Sequence, residues 1–424
     1  MDLDLSASTL PVIPGSLPLG IERSEAKTGE VDSGLTAATR LDFLDGLRGL
    51  LSFWVLAGHT AFASGVLLPV INHTIVAVDI FMFISGFLMA YHFRLREARE
   101  PWEAGTTWIQ FYVRRFFRIA PAYYVILLLA LVFREPLQRS LYAIITAYPP
   151  EWANVVSTSP EAPPLDWGNV FSHFTFLFGF IPKYASSSVL PDWSIGLEMQ
   201  FYLALPFIML GFRRLGYFWA TALCVICWIL SHQMFGVYPG SPPKLFGVFP
   251  QPTFLPLKLN CFVVGILIAE ALHWRKLNLG KSVPLLLGAF IVATLGKEWY
   301  FLVACLASCV FLFPAGSDFE PKLLTATHRF LQTKFVTFVA DTSYGVYLIH
   351  NLVLLPIAAI FLTKPMYQHL PASIRFALLL AIVIAVTYPL TYAIHRLVET
   401  PGIALGRRVG RSLSSKLSLA RAKA

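Results

Sequence analysis

Two basic residues, Arg48 and His59, lie eleven positions apart in the first apolar stretch of the chain. On an α-helix this spacing corresponds to about 1100° of rotation, so both side chains point in nearly the same direction, about 16 Å apart along the axis. A charged group at mid-bilayer costs on the order of 2.5 to 3.5 kcal/mol, which makes both residues functional candidates. The histidine could act as a general base and the arginine could bind a phosphate. The alternative is that Arg48 extends to lipid headgroups and that His59 is a hydrogen-bonded core residue.

Two acidic residues are placed to reach His59 from other apolar stretches. Asp79 lies near the outer start of the second stretch, and Glu198 lies near the outer start of the fourth. An acid that contacts a catalytic imidazole orients the ring and stabilises its protonated form. We expect Glu198, or else Asp79, to pair with His59.

Two further sets of polar side chains follow helical spacing near the C-terminus. Residues at i, i+4 and i+7, or at i, i+3 and i+7, lie on one helix face. Such faces also serve packing and hydrogen bonding between membrane helices, so their role stays open at this point. The first set is Ser343, Tyr347 and His350, and the second is Tyr392, His395 and Glu399.

A basic and aromatic cluster extends from Phe111 to Pro121. Arg114 and Arg118 lie on one face of the predicted helix, and Arg115 lies beside them. Stretches of this kind commonly anchor a helix at the cytosolic interface. Because arginine binds phosphate through paired N–H donors, the same cluster could form a phosphate clamp.

The elements that must position these residues are transmembrane helices. The 424 residues are 56% hydrophobic and 13% charged, with a mean hydropathy of +0.64, whereas soluble domains are about half apolar and a quarter charged. We expect an all-α fold, a polytopic transmembrane helix bundle of about ten spans in the lipid bilayer. The apolar runs lie at roughly 45–68, 74–92, 119–134, 197–212, 216–236, 255–273, 284–297, 299–314, 341–362 and 374–395.

The distribution of lysine and arginine predicts the orientation of these spans. With ten spans and a cytosolic N-terminus, 24 of the 33 basic residues lie on the cytosolic side and 8 on the outer side. Cytosolic loops are enriched in basic residues, so both termini are predicted to be cytosolic. The net charge of +9 is therefore a topology signal, and we expect no nucleic-acid partner.

The chain divides into three predicted regions. Residues 1–40 are expected to form a disordered cytosolic tail without signal-peptide features, residues 41–405 the membrane domain, and residues 406–424 a basic cytosolic tail. The longest outer segment, 135–196, is predicted to contain a lid or a re-entrant element. The five cysteines lie in apolar stretches without metal-binding spacing, so no metal site is expected.

Ordered motifs in this chain resemble the acyltransferase-3 family of integral-membrane O-acyltransferases. Arg48 and His59 match the Arg-x10-His pattern of its first span, and residues 78–87 are similar to its second-span block. Residues 114–124 are similar to its Arg-Arg-x-x-Arg-Ile-x-Pro-x-Tyr signature. Its Trp-Ser-Leu…Glu…Phe-Tyr block and its later blocks correspond to residues 193–202, 343–350 and 398–401.

This resemblance implies a membrane enzyme that moves an acyl group, with acetyl as the simplest case, from acyl-CoA to a hydroxyl group of a small molecule, lipid or carbohydrate. His59 would be the general base, with Glu198 or Asp79 as its partner. The phosphates of acyl-CoA would be held by Arg48, Arg114, Arg115 and Arg118. Substrate contact or support is expected from Trp193, Ser194, Tyr347, His350 and Glu399.

The main alternative is a proton-coupled transporter. His59, Asp79, Glu198 and His350 would then form a proton relay across the membrane. A transporter would move its substrate without acyl turnover, whereas an acyltransferase would form an ester.

Overall fold

The computed structural model describes residues 35–423, apart from 98–99, 150–160, 163, 239–240, 243, 276, 296–300, 302, 304, 308 and 310–321. Within these residues the fold is a bundle of α-helices. The first half contains α1 (Leu35–Ala63), α2 (Thr74–Arg96), α3 (Gly105–Val132), α4 (Arg134–Ala147), α5 (Trp167–Phe174) and α6 (Trp193–Met234). The second half contains α7 (Leu255–Trp274), α8 (Leu279–Leu295), α9 (Lys322–Leu331), α10 (Lys334–Leu362), α11 (Pro365–Gln368), α12 (Ala372–Ile394) and α13 (Thr400–Lys423).

Shorter elements join these helices. A 3-10 helix follows α5 at Leu177–Phe180, and a π-helical turn, His395–Glu399, connects α12 to α13. Two parallel two-residue strands, β1 (Gly236–Val237) and β2 (Val248–Phe249), pair between α6 and α7.

Among the described residues, six helical segments are long and apolar enough to cross a membrane. The shorter helix α8 is also apolar. The all-α membrane class is therefore confirmed, whereas the count of about ten spans and the cytosolic position of both termini stay predictions. The six segments are Thr74–Arg96, Gly105–Val132, Trp193–Met234, Leu255–Trp274, Lys334–Leu362 and Ala372–Leu413.

Helix α6 covers two of the predicted apolar runs. Its 42 residues would extend about 63 Å if straight, roughly twice the thickness of the hydrocarbon core. Gly216 interrupts it with φ 76° and ψ 168°, a backbone conformation that glycine adopts without steric cost. The runs 197–212 and 216–236 correspond to its two halves, whereas much of the predicted run 299–314 lies outside the described residues.

The bundle is organised by three extensive helix pairs. Helix α1 packs along α10, α2 along α7, and α13 along α3. Helix α7 is enclosed on nearly all sides, while the second half of α6 exposes large apolar side chains such as Phe218 and Trp219. A helix that is apolar on all faces and open at the surface is suited to contact with lipid.

The predicted outer segment, 135–196, folds against the ends of the helices. It contains most of α4, all of α5 and the 3-10 helix, and α4 packs on α10. Asp166 caps α5 by accepting from the Gly168 backbone N–H at 2.9 Å. Hydrogen bonds from the Lys183 ammonium and the Tyr184 hydroxyl lower the pKa of the Asp166 carboxyl to about 2. These contacts join the start of α5 to the loop that follows the 3-10 helix.

Candidate active site

His59 on α1 forms a close pair with His350 on α10. The two ring atoms His59 Nδ1 and His350 Nε2 are 2.7 Å apart, and the rings are stacked with centroids 5.0 Å apart. His350 is fully buried, whereas His59 is half-buried. The sequence placed His59 on one helix face with Arg48, and His350 on another with Ser343 and Tyr347. The packing of α1 along α10 brings the two histidines together.

The hydrogen bonds of this pair determine which nitrogen is basic. His350 Nδ1 lies 2.9 Å from the carbonyl oxygen of Val346, which can only accept, so the proton of neutral His350 is on Nδ1. His350 Nε2 is then an acceptor, and His59 Nδ1–H donates to it. The remaining nitrogen of His59, Nε2, carries the lone pair.

Asn351, the residue after His350, supports the same imidazole. Its side chain is a hydrogen-bond partner of His59. Its amide nitrogen donates to the carbonyl oxygen of Val189 at 2.9 Å, which leaves its amide oxygen to accept from His59 when the ring is protonated. A protonated His59 therefore has acceptors on both His350 and Asn351.

A cavity beside this pair collects several of the predicted site residues. Its walls come from α1, α2, α6, α7 and α10. The Ser194 and Tyr347 hydroxyls are 2.7 Å apart, and the rings of Tyr347 and His350 are 6.4 Å apart between centroids. The lining residues are Arg48, Val78, Phe81, Met82, Ser85, Ser194, Ile195, Glu198, Phe262, Ser343, Tyr344 and Tyr347.

Glu198 lines this cavity, but its hydrogen-bond partners are Ser85 and Tyr202. The Ser85 hydroxyl donates to Glu198 Oε1 at 3.3 Å, and the Tyr202 hydroxyl donates to the same oxygen. The structure therefore pairs His59 with His350 and Asn351, where the sequence favoured Glu198. The sequence could not establish this pairing, because a position along one predicted helix does not say which side chain of another helix it meets.

Asp79 forms an ion pair with Lys258. Its Oδ2 accepts from Lys258 Nζ at 2.9 Å, and both side chains are buried. A second buried ion pair joins the same two helices, since Arg94 on α2 binds Glu270 on α7 at 2.8 Å. These pairs hold α2 against α7, and the carboxylate that the sequence offered as a second partner for His59 forms an ion pair with Lys258.

Two further predicted residues lie outside the cavity lining. Glu399, in the π-helical turn, accepts from His395 at 2.9 Å and is buried. Trp193 is the first residue of α6 and packs partly buried against the core. Each of them contacts or adjoins a helix that lines the cavity. Glu399 lies close to Gly345 on α10, and Trp193 directly precedes the lining residue Ser194 on α6.

The four predicted phosphate-binding arginines occupy two places. Arg48 lines the cavity, whereas Arg114, Arg115 and Arg118 lie along α3. Arg114 binds Glu100 at 2.7 Å, and Arg118 is exposed. Arg115 stacks over the Tyr202 ring at 5.4 Å from its centroid, and Tyr202 binds Glu198. Arg115 therefore lies next to the cavity wall.

A buried cluster at the end of the predicted outer segment was not predicted from the sequence. Asp192 Oδ2 accepts from the Tyr123 hydroxyl at 3.2 Å and lies 3.5 Å from His173 Nε2. Since His173 Nδ1 lies 3.0 Å from the carbonyl oxygen of Asn169, Nε2 of a neutral His173 would present its lone pair to a carboxylate. The contact between His173 and Asp192 is therefore an ion pair only if His173 is protonated. A polar residue directly before the Trp193-Ser194 motif was the only sequence signal.

The fold and the site together define a class of protein. A helical membrane bundle encloses a hydrogen-bonded histidine pair next to a cavity that contains hydroxyl groups, a carboxylate and a guanidinium. The acyltransferase-3 family model, described as an acyltransferase domain, matches residues 41–395. The chain belongs to this family and is a membrane O-acyltransferase. This family match supports the enzyme class over the transporter alternative.

Relatives support the same class. The chain is 25% identical over 340 residues to the acyltransferase MdmB of Streptomyces mycarofaciens, which covers 74% of this chain and 79% of the relative. It is 25% identical over 393 residues to the peptidoglycan O-acetyltransferase OatA of Listeria monocytogenes, covering 84% of this chain and 55% of the relative. The chain thus spans about half the length of OatA. No solved structure matches the chain.

Proposed function

We propose that the protein transfers an acyl group, with acetyl as the simplest case, from acyl-CoA to a hydroxyl group of a small molecule, lipid or carbohydrate, with His59 as the general base. The observation that carries this proposal is the hydrogen-bond chain from Val346 through His350 to His59. It leaves the basic Nε2 on the half-buried member of the pair. A base positioned in this way contributes about 10²- to 10⁴-fold to the rate.

The reaction would proceed as follows. His59 Nε2 takes the proton of the acceptor hydroxyl while the hydroxyl oxygen bonds to the acyl carbon. The carbon–sulfur bond then breaks, and the proton on His59 passes to the sulfur to release the CoA thiol. The charged imidazole that forms in between is stabilised by the acceptors His350 Nε2 and Asn351, because hydrogen bonds to a charged group are stronger than neutral ones.

The hydroxyl pair in the cavity suits the developing oxyanion. Ser194 and Tyr347 are 2.7 Å apart, so one hydroxyl donates to the other. This leaves one O–H available to donate to a substrate oxygen. A donor that is already oriented before reaction stabilises charge that develops in the transition state. We assign Ser194 and Tyr347 this role, and Arg48 the role of holding the donor in the same cavity.

The test is ester formation by membranes that contain the protein. They are given radiolabelled acetyl-CoA and a panel of hydroxyl-bearing acceptors, and labelled ester and free CoA thiol are measured together. We expect acceptor-dependent ester with an equal amount of thiol. A matched pair of variants, His59→Ala and His369→Ala, separates the site from the surface, because His369 is exposed. If the His59→Ala variant forms ester as fast as the His369→Ala control, His59 is not the base.

A further inference from the structure

A basic cleft lies between the end of α2, the start of α3 and helix α13. The described residues that line it are Arg96, Glu100, Gln110, Arg114, Gly406, Arg407, Gly410 and Arg411. Arg114 was among the predicted phosphate-binding residues, whereas the sequence assigned residues 406–424 to a tail. In the structure α13 continues without a break from Thr400 to Lys423 and packs along α3.

Small residues allow α13 to approach α3 closely. A Cβ atom at Gly406 would lie 2.5 Å from Phe117 Cβ, and one at Gly402 would lie 2.9 Å from the Pro121 ring. Glycines spaced four residues apart lie on one helix face and let two membrane helices come into contact. Arg407 directly follows Gly406, and Arg411 lies one helical turn further along α13. Because α13 packs closely on α3, both arginines line the cleft together with Arg114.

The charge of the cleft is strongly positive. Four arginines line it, and Glu100 is the one acid among the described lining residues. That acid already binds Arg114 at 2.7 Å. Arg96, Arg407 and Arg411 are exposed, and Arg411 Nε donates to the Arg407 backbone carbonyl oxygen at 3.3 Å. Several guanidinium groups around one concave surface match the geometry of a phosphate.

A chain of side-chain contacts links the cleft to the wall of the candidate active site. A second cavity shares Arg96, Glu100 and Arg114 with it and adds Arg115. Arg115 stacks over the Tyr202 ring, and the Tyr202 hydroxyl binds Glu198 in the wall of the reaction cavity. The cleft and the reaction cavity thus lie on either side of the Arg115–Tyr202–Glu198 contacts, which a thioester arm with its phosphates in the cleft would have to pass to reach the cavity.

We propose that this cleft binds the phosphate groups of the acyl-CoA nucleotide, and that Arg96, Arg407 and Arg411 are specificity residues for the donor. The inference rests on the proposed use of acyl-CoA. Each guanidinium contributes charge-assisted, paired hydrogen bonds that a phosphate monoester accepts more strongly than a neutral group. A phospholipid headgroup has related chemistry, so the test must separate the two sources.

The test is equilibrium binding of CoA to the full-length protein in nanodiscs made only of zwitterionic phosphatidylcholine. We expect the double variant Arg407→Ala/Arg411→Ala to bind CoA about tenfold more weakly than the unmodified protein. The Arg407→Lys/Arg411→Lys variant should lose less affinity, since it keeps the charge but not the paired donors. The matched control is Arg408→Ala, because Arg408 is exposed on the same helix but does not line the cleft. It should bind as the unmodified protein does.

A second probe, 3′-dephospho-CoA, identifies the group that is bound. The unmodified protein should prefer CoA, and the double alanine variant should lose that preference. Equal CoA affinity of the double variant and the Arg408→Ala control would overturn the inference while leaving the proposed function intact. A parallel measurement in nanodiscs that contain phosphatidylglycerol tests the lipid source. A defect of the double variant that appears only there, as weaker retention of phosphatidylglycerol, would also overturn the inference, since it would identify a lipid headgroup site. If the unmodified protein bound no CoA, the proposed donor itself would be wrong.

Discussion

His350 gives the sharpest prediction about how the site works. Its Nε2 accepts from His59 Nδ1 at 2.7 Å, and its Nδ1 donates to Val346. Replacing His350 with alanine removes the acceptor that fixes the tautomer of His59 and stabilises its charged form. A hydrogen bond to a charged group contributes about 1.5 to 3 kcal/mol, and a factor of ten in rate corresponds to about 1.4 kcal/mol. The turnover rate should therefore fall by about 10- to 150-fold.

Two conservative variants separate this role from simple packing. In His350→Gln the terminal amide reaches the position of Nε2 and can accept from His59, so activity should be largely retained. In His350→Asn the shorter amide can keep only the bond to Val346, so activity should fall as in the alanine variant. Ester formation from labelled acetyl-CoA is compared at equal protein abundance, with kcat and the KM for donor determined separately. Equal activity of the asparagine and glutamine variants, or full activity of the alanine variant, would refute the reasoning.

Three further predictions concern other parts of the molecule. Arg118→Ala should mainly raise the KM for acyl-CoA, which steady-state kinetics over a range of donor concentrations would reveal, because an exposed guanidinium contributes to binding rather than to the chemical step. Asp79→Ala should lower stability by about 3 to 5 kcal/mol, since it removes the carboxylate that pairs with the buried Lys258 ammonium. Thermal unfolding in detergent measures this, and a double Asp79→Leu/Lys258→Met variant should recover much of the loss. The ion pair of Asp166 with Lys183 should stabilise the predicted outer segment fully between about pH 8 and pH 4. A carboxyl whose pKa is lowered by folding contributes its full stability above the pKa that it has in the unfolded chain, which is about 4. That contribution is lost as pH falls through about 2, and hydrogen exchange of residues 161–190 follows it.

The helical class and the face of α1 could be predicted because they depend on local pattern. Apolar runs and a spacing of eleven residues are properties of one helix, and the structure places Arg48 and His59 toward α10 as the spacing indicated. The stripe that contains Tyr347 and His350 was also visible. Its pairing with His59 was not, because no local rule says which of several apolar helices pack side by side.

The partners of the acidic residues show the same limit. Asp79 was considered for His59, yet it binds Lys258, a basic residue within the predicted apolar run 255–273. Helix α13 was predicted as a tail because its residues are polar and basic. Its glycines at 402, 406 and 410 indicate a helix face that can pack closely on another helix. The polar and basic composition of the segment led instead to the prediction of a tail.

The central claim is that His59 removes the proton of the acceptor hydroxyl. It is tested most directly by the rate of labelled ester formation in membranes that contain equal amounts of the unmodified protein and the His59→Ala variant. The account predicts that the variant inserts and accumulates normally and binds CoA normally, while ester formation falls by about 10²- to 10⁴-fold. An unchanged rate in the His59→Ala variant would contradict the account.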